Sequence, residues 1–265
     1  MTLTAFKKIG FGIIAALMFQ MGIASPNTSK EIYEIRVYSM KNMEQVSNVD
    51  MFLKSVYVPA LHQTGIKNIG VFKVIGIDTA AIKKIYVVTP YSSLEKWQKV
   101  NSMMSNDKKF LISASSFKNA VADKAPYERV EIILSEAFPK HLEMEVPVLK
   151  TGKEQRVYEL RSYESPTEHL YERKVTMFNA GDEVGLFKRL NFNALFYSSV
   201  IAGPKMPNLM YMISFENMAD HDEHWKQFVN DWQWKKISTM PEYENKVSVS
   251  HIDSILMHPT DYSDL

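Results

Sequence analysis

The sequence predicts an α+β protein made of two tandem copies of one βαββαβ unit, closed against each other into a single barrel. Three observations predict it. A hexapeptide of alternating pattern occurs twice, as Tyr33-Glu34-Ile35-Arg36-Val37-Tyr38 and Tyr158-Glu159-Leu160-Arg161-Ser162-Tyr163, offset by 125 residues. Further landmarks follow in the same order, with Phe72 answered by Phe196, Tyr86 by Tyr211 and Trp97 by Trp225, at offsets of 124, 125 and 128 residues. In both copies, strand-like alternation gives way to helical periodicity at the same points.

Each hexapeptide opens its unit as a strand. In the first copy Val49, Phe52, Leu53, Val56, Tyr57, Ala60 and Leu61 recur at helical spacing, and Gly65 is placed to stop the helix. Pro59 lacks a donor N–H and predicts a kink. The matching stretch of the second copy, 167–190, is expected in two pieces because Gly181 and Gly185 interrupt it. Two strands come next, 69–75 and 82–88 in the first copy and 193–201 and 209–215 in the second. A second helix then presents Trp97, Val100 and Met104, or Trp225, Phe228, Val229 and Trp232, on its inner face. A last strand closes each copy, over 128–134 and 246–256. This order is the split βαβ, or ferredoxin-like, pattern. A four-stranded sheet with both helices on one side leaves its other face bare, and two copies cover each other. The expected architecture is therefore two tandem ferredoxin-like domains, 30–137 and 156–260, packing sheet to sheet as an intrachain pseudo-dimeric α+β barrel. Residues 138–155, with Pro139, Pro147 and Gly152, read as the linker.

Ahead of the repeats, Lys7 and Lys8 precede an apolar run from Ile9 to Met21 broken only by Gln20, and Gly22-Ile23-Ala24 supplies small residues. This is the pattern of a signal peptide over residues 1–24, cleaved after Ala24, and it directs the protein to the periplasm or the medium. The run of 13 residues falls short of the ~20 of a spanning helix. An uncleaved N-terminal anchor is the alternative. No later run approaches that length, so the mature chain is expected to lack an integral membrane segment and to exist as a monomer containing its own pseudo-dimer, or as a homodimer. The chain has 31 Lys and Arg against 30 Asp and Glu, a formal charge of +1, which excludes long-range attraction to nucleic acid. The absence of cysteine excludes thiol nucleophiles, thiolate metal ligands and disulfides.

The second copy resembles the NIPSNAP family. The residues that carry the resemblance are Tyr158 to Tyr163, Met177-Phe178-Asn179, Leu186 to Leu190, Gly203-Pro204-Lys205-Met206-Pro207-Asn208-Leu209 and Trp234-Lys235-Lys236. The first copy is similar but divergent: it keeps Tyr33-Glu34-Ile35-Arg36 and Pro59-Ala60-Leu61 and has Gly76-Ile77-Asp78 in place of the Gly-Pro-Lys-Met-Pro turn. The family is similar in fold to the dimeric α/β-barrel proteins, which include cofactor-free oxygenases, haem-degrading enzymes, isomerases and proteins without a known reaction. The resemblance implies the barrel and leaves the chemistry open.

Three groups of residues bear on that chemistry. In the opening strands alternation puts Glu34, Arg36 and Tyr38 on one face, and Glu159, Arg161 and Tyr163 likewise. With the apolar residues turned to the helices, this charged face looks into the barrel or its mouth. It reads either as a Glu–Arg pair across the pseudo-twofold or as an anion clamp using the guanidinium fork. His221, His224 and Trp225 share one stripe of a helix in the run Asp220-His221-Asp222-Glu223-His224-Trp225. The histidines suit a proton-transfer or metal site, or a solvated and capping first turn; their i, i+3 spacing lacks a third ligand, so no metal is assigned. The aromatic residues of the second copy, among them Phe196, Tyr211 and Trp225, read as core or as the lining of an apolar pocket. His62 stands alone. No serine-triad order, phosphate loop or dinucleotide fingerprint is present.

The leading expectation is an exported protein that binds a small apolar or aromatic molecule, mainly through the second copy, and acts on it without a metal or a resident cofactor. Arg161, Tyr163 and His224 are the candidates for catalysis, and Arg36, Arg161, Phe196, Tyr211, His221, His224 and Trp225 for ligand binding. The alternatives are a non-catalytic scaffold and a haem-binding or haem-degrading protein with a histidine ligand.

Overall fold

The computed structural model describes residues 29–265, and the export signal read at 1–24 lies outside the described residues. The first half runs β1 (Ile32–Met40), α1 (Met43–Phe52), α2 (Val58–Gln63), β2 (Gly70–Val74), β3 (Lys83–Tyr91), α3 (Leu94–Asn106), the short helices α4 (Lys108–Ser113) and α5 (Ser115–Lys118), and β4 (Arg129–Ala137). The second half runs β5 (Val157–Glu164), α6 (Glu168–Asn179), α7 (Glu183–Arg189), β6 (Ala194–Ala202), β7 (Asn208–Phe215), α8 (Met218–Asn230), α9 (Trp232–Ser238), α10 (Asn245–Ser248) and β8 (His251–Pro259). All eight strands are antiparallel to their neighbours and close one barrel in the order β1-β3-β2-β8-β5-β7-β6-β4. Each half contributes four neighbouring strands, and β2 with β8 and β4 with β6 make the two seams.

The seams explain where two strands differ from expectation. β4 runs on to Ala137 because its last four residues pair with β6 of the other half. β8 starts at His251 because β5 ends opposite it at Glu164; residues 245–248, lacking a strand to pair with, turn as α10 instead.

The N-caps sit at equivalent places: the Asn42 side chain accepts from the N–H of Gln45, and the Thr167 hydroxyl accepts from that of Leu170. Pro59 is accommodated by a π-helical turn, Leu53–Tyr57, inserted in an otherwise continuous helical run immediately before α2, where the backbone bonding shifts register next to the residue that cannot donate. In the second half only one of the two expected glycines makes the break. A Cβ on Gly181 would lie 2.5 Å from the carbonyl oxygen of Met177, and Asp182 follows at φ +66°, so α6 ends there; Gly185 lies inside α7. Trp232 and Val229 do not face inward. α8 ends at Asn230, the extended Asp231 reorients the chain, and Trp232 is left 69% exposed while Trp234 packs into the core.

The sheet faces are the reverse of the expectation. Tyr33, Ile35 and Val37 fill the barrel with Tyr158 and Leu160, whereas Glu34, Arg36 and Tyr38 face the helices. An eight-stranded barrel has just enough interior for side chains, which must then be apolar, and the charged residues go to the side where helices supply donors. Across the barrel the halves interlock reciprocally: Tyr33 packs on Phe196 with centroids 4.7 Å apart, and Tyr158 on Phe72 at 4.8 Å. The landmark pair Tyr86 and Tyr211 is out of register. Tyr86 pairs with Val37 and points into the barrel, while Tyr211 pairs with Arg161 and points to the helices, so the true counterpart of Tyr86 is Met210. A shift of one residue inverts the face in a strand.

The segment 138–155 is bound to the barrel along its length. Phe138 N–H donates to the Tyr197 carbonyl and Glu145 N–H to that of Leu195, both at 2.9 Å, and Met144 N–H donates to Glu31 at 2.7 Å.

Candidate functional site

The same buried triad forms under the helices of each half. In the first, Glu34 Oε1 accepts from Arg36 Nε and Nη2 at 3.0 and 2.9 Å, and Oε2 accepts from the Trp97 indole of α3 at 2.6 Å. In the second, Glu159 Oε1 accepts from Arg161 Nη1 at 2.6 Å, and Oε2 accepts from Trp225 of α8 at 2.7 Å. The pair is thus local to each strand and does not cross the pseudo-twofold. Residues i and i+2 of a strand share a face, so a Glu-x-Arg motif pairs with itself, and an indole N–H covers the remaining oxygen. Glu159 takes two further partners, Ser254 of β8 and His221 Nε2 at 3.3 Å. Burial opposes its charge, but His221, Arg161 and Ser254 outweigh that and hold its carboxyl at about 2. Burial likewise opposes a charge on His221, and Glu159 and Asp222 overcome it and raise its pKa.

Beyond the triads the halves differ. In the first, the space between sheet and helices is a cavity of about 260 Å³. Arg36, Tyr38 and Val130 form its floor on the sheet. Phe52, Tyr57, Asn101 and Met104 form the helical wall, and Phe110, Phe117 and Tyr127 lie across it. Phe117 of α5 stacks on Phe52 with centroids 3.9 Å apart, so the short helices hold the cover in place. Arg36 lies 5.2 Å from the Tyr57 ring centroid. Burial works against its charge, but Tyr57, Glu34 and Tyr38 around it hold its pKa above the ordinary value. Burial likewise drives the Tyr38 and Tyr57 phenols upward. These residues therefore offer hydrogen bonds and a fixed positive charge.

In the second half the corresponding space is filled. Phe178 and Phe187 pack on Tyr211 at 5.4 and 5.5 Å. Lys174 and Glu183, 1% and 2% exposed, form an ion pair at 3.4 Å inside this cluster, with the ammonium over the rings of Phe178 and Tyr163. At the offset of 125 their counterparts in the first half are Val49 and Val58. The larger, charged side chain of Lys174 and its aromatic surroundings occupy what the first half leaves open.

The candidates therefore separate. Arg161, Tyr163, Tyr211, His221 and Trp225 gather around Glu159 on the helix side: Arg161 Nε donates to the Tyr163 hydroxyl at 3.2 Å, the Tyr163 and Tyr211 hydroxyls are 3.3 Å apart, and the guanidinium lies 4.6 Å from the Trp225 ring. His224 is not with them; its Nδ1 is 2.8 Å from the Asp220 carbonyl oxygen and its ring packs on Phe192 and Phe215. Phe196 is on the opposite face of the sheet, inside the barrel. Arg36 alone of the candidates lines the helix–sheet cavity. Glu34 and Glu159 were legible as repeated strand residues, and the repeated Trp97 and Trp225 signalled their partners. The cavity wall of α4 and α5 was missed, although α4 is answered in the repeat by α9, each opened by an extended aspartate, Asp107 and Asp231, whose side chain caps it. Among the described residues one His and acid group has metal-compatible spacing, Glu164, His251 and Asp253, and the Lys205 ammonium already bridges its two carboxylates.

The sequence profile of the NIPSNAP family matches residues 158–264, so the second half carries a NIPSNAP domain. No curated protein matches the chain. Among solved structures, a Lactobacillus acidophilus protein provisionally assigned as a monooxygenase superposes with a TM-score of 0.55 at 12% identity, over 87% of this chain and 94% of the other. A Fusobacterium nucleatum protein with the same provisional assignment gives 0.57 at 8% identity, over 87% and 93%. An anthrone oxidase-like protein gives 0.50 at 7% identity, over 88% and 93%. The likeness is one of fold, the dimeric α+β barrel, here made by one chain. The fold and its cavity fit small-molecule binding, and no helix of the described residues is long and apolar enough to cross a membrane.

Proposed function

We propose that this protein binds a small aromatic molecule in the helix–sheet cavity of its first half, with an acceptor oxygen of the ligand directed at Arg36. The observation that carries this reading is the difference between the halves: the same space is an aromatic-walled cavity above Arg36 in the first and is packed solid in the second. This moves the site from the second copy, where the density of aromatic residues had placed it. Glu34 occupies Nε and Nη2 of Arg36, which leaves Nη1 for a further acceptor. A cationic donor in a desolvated site polarises a carbonyl or ether oxygen more strongly than water does. Burial of the phenols and the fixed charge on Arg36 favour binding and polarisation over proton transfer at neutral pH. Neither His221 nor His224 lines this cavity, so the present reading assigns it no histidine-ligated haem. The Lys7 to Ala24 pattern supports action outside the cytoplasm.

The test uses the protein exported by its own host, labelled at the methionine methyls and titrated with 1-methoxynaphthalene, an aromatic with an acceptor oxygen and no donor. The mass should begin at Ser25, and the Met104 methyl on the cavity wall should shift saturably. Asn101→Trp, which fills the cavity, should abolish that shift while the other methyl signals keep their positions. A Met104 signal indifferent to the probe, or a shift that survives Asn101→Trp, would refute the site; a mass that includes residues 1–24 would refute processing.

A further inference from the structure

The cavity above Arg36 is lined by two cations and, among the described residues, by no carboxylate. Arg36 lies on the floor, where Glu34 at 2.9 Å already offsets its charge. The second cation is Lys118, in the last turn of α5, and an uncharged ligand has no use for it. The backbone under Lys118 is held on both sides. Its N–H donates to the carbonyl of the fully buried Ala114 at 2.9 Å, and the neighbouring Phe117 stacks on Phe52. The ammonium lies 5.9 Å from the ring centroid of Phe110, another lining residue, so the side chain is laid along the cavity cover.

A lysine at a helix C-terminus commonly complements the helix dipole, but α5 has only four residues and little dipole to complement. Nor does Lys118 stand alone. The covering segment 107–124 carries Lys108, Lys109, Lys118 and Lys124 against Asp107 and Asp123, and Asp107 is engaged in capping α4. None of these four ammonium groups is within ion-pair distance of a carboxylate among the described residues. The equivalent segment of the second half, 231–248, balances three lysines with three acids, and its Lys246 is paired with Glu244 at 2.9 Å. The excess positive charge is therefore confined to the half that keeps a cavity, and it sits on the cavity's cover. Uncompensated charge at the rim of a weakly polar cleft draws in anions and repels cations.

We propose, resting on the aromatic site above Arg36, that its ligand is an aromatic carboxylate: the ring lies in the cavity, an ether or carbonyl oxygen meets Arg36, and the carboxylate meets Lys118 at the rim. The probes are 4-methoxy-1-naphthoate, ionised at neutral pH, and 4-methoxy-1-naphthamide, which has the same shape and no charge; both are 1-methoxynaphthalene with one added group. Followed at the Met104 methyl in low salt, the carboxylate should bind about fivefold more tightly than the amide, the upper end for an exposed ion pair, and the preference should shrink as salt is added. Lys118→Met should abolish the preference, Lys118→Arg should keep it and Lys118→Glu should reverse it. Lys118 is exposed, so the other methyl signals should keep their positions in all three variants. Equal affinity for the two probes, or a preference that survives Lys118→Met, would overturn the proposal while 1-methoxynaphthalene continues to report an aromatic site. A Met104 methyl indifferent to 1-methoxynaphthalene as well would refute the site and the proposal together.

Discussion

Replacing Glu159 by Gln is a direct test of the buried triad. Gln keeps the shape but removes the charge, and its amide group meets one of the donors now satisfied by a carboxylate: Arg161, Trp225, His221 or Ser254. A carboxyl held at about 2 against an ordinary 4.5 is stabilised in the folded protein by about 3 kcal/mol. That agrees with the ~3–5 kcal/mol lost when one member of a buried ion pair is removed. Because the folded value lies below the unfolded one, the contribution is whole above pH 4.5 and is lost as the pH falls toward 2. Urea unfolding of wild type and Glu159→Gln, followed by tryptophan fluorescence from pH 7 downward, should show a gap of about 3 kcal/mol that widens as His221, whose pKa Glu159 raises, takes up its proton below pH 7, then holds to near pH 4.5 and narrows below it. Glu34→Gln supplies the comparison from the triad with fewer partners and should cost less. A Glu159→Gln gap under ~1 kcal/mol, the size of an exposed pair, would refute the view that this carboxylate organises the helix–sheet interface.

Two further changes probe the difference between the halves. Lys174→Met leaves Glu183 buried without its cation and should destabilise the protein by ~3–5 kcal/mol, whereas Lys174→Met combined with Glu183→Leu should recover most of that loss, because apolar side chains of similar volume can replace a buried ion pair; additive losses in denaturant unfolding would show that the two side chains act separately. Gly181→Ala drives a methyl to 2.5 Å from the Met177 carbonyl and should cost ~1–3 kcal/mol by the same measurement, a cost that Gly185→Ala does not share by that route.

The divided site explains why one chain carries both copies. In a symmetric dimer each change in one helix–sheet space is made in the other. Within a single chain the second half can fill its space with Phe178, Phe187 and Lys174 and so strengthen its core, while the first retains a cavity and the stability cost that goes with it. The reciprocal Tyr33–Phe196 and Tyr158–Phe72 contacts keep the halves joined while their outer faces diverge.

What the sequence determined by itself was the repeat and, through it, the fold. Tyr-Glu-x-Arg, the helical stripes and the two tryptophans are local patterns, and strand and helix periodicities are local properties of the chain. The break at Gly181 was legible for the same reason. Only the tertiary structure decided which face of the sheet became the interior. Alternation gives two faces without saying which is covered by helices, and a Glu–Arg pair is tolerable only where Trp97 and Trp225 arrive from segments more than sixty residues away to satisfy it. The same holds for the cavity. A list of aromatic residues does not distinguish rings that fill a space from rings that surround one, because a cavity is set by how volumes from distant segments fit together. Here that fit leaves Arg36 beneath an open space and closes the equivalent space over Arg161.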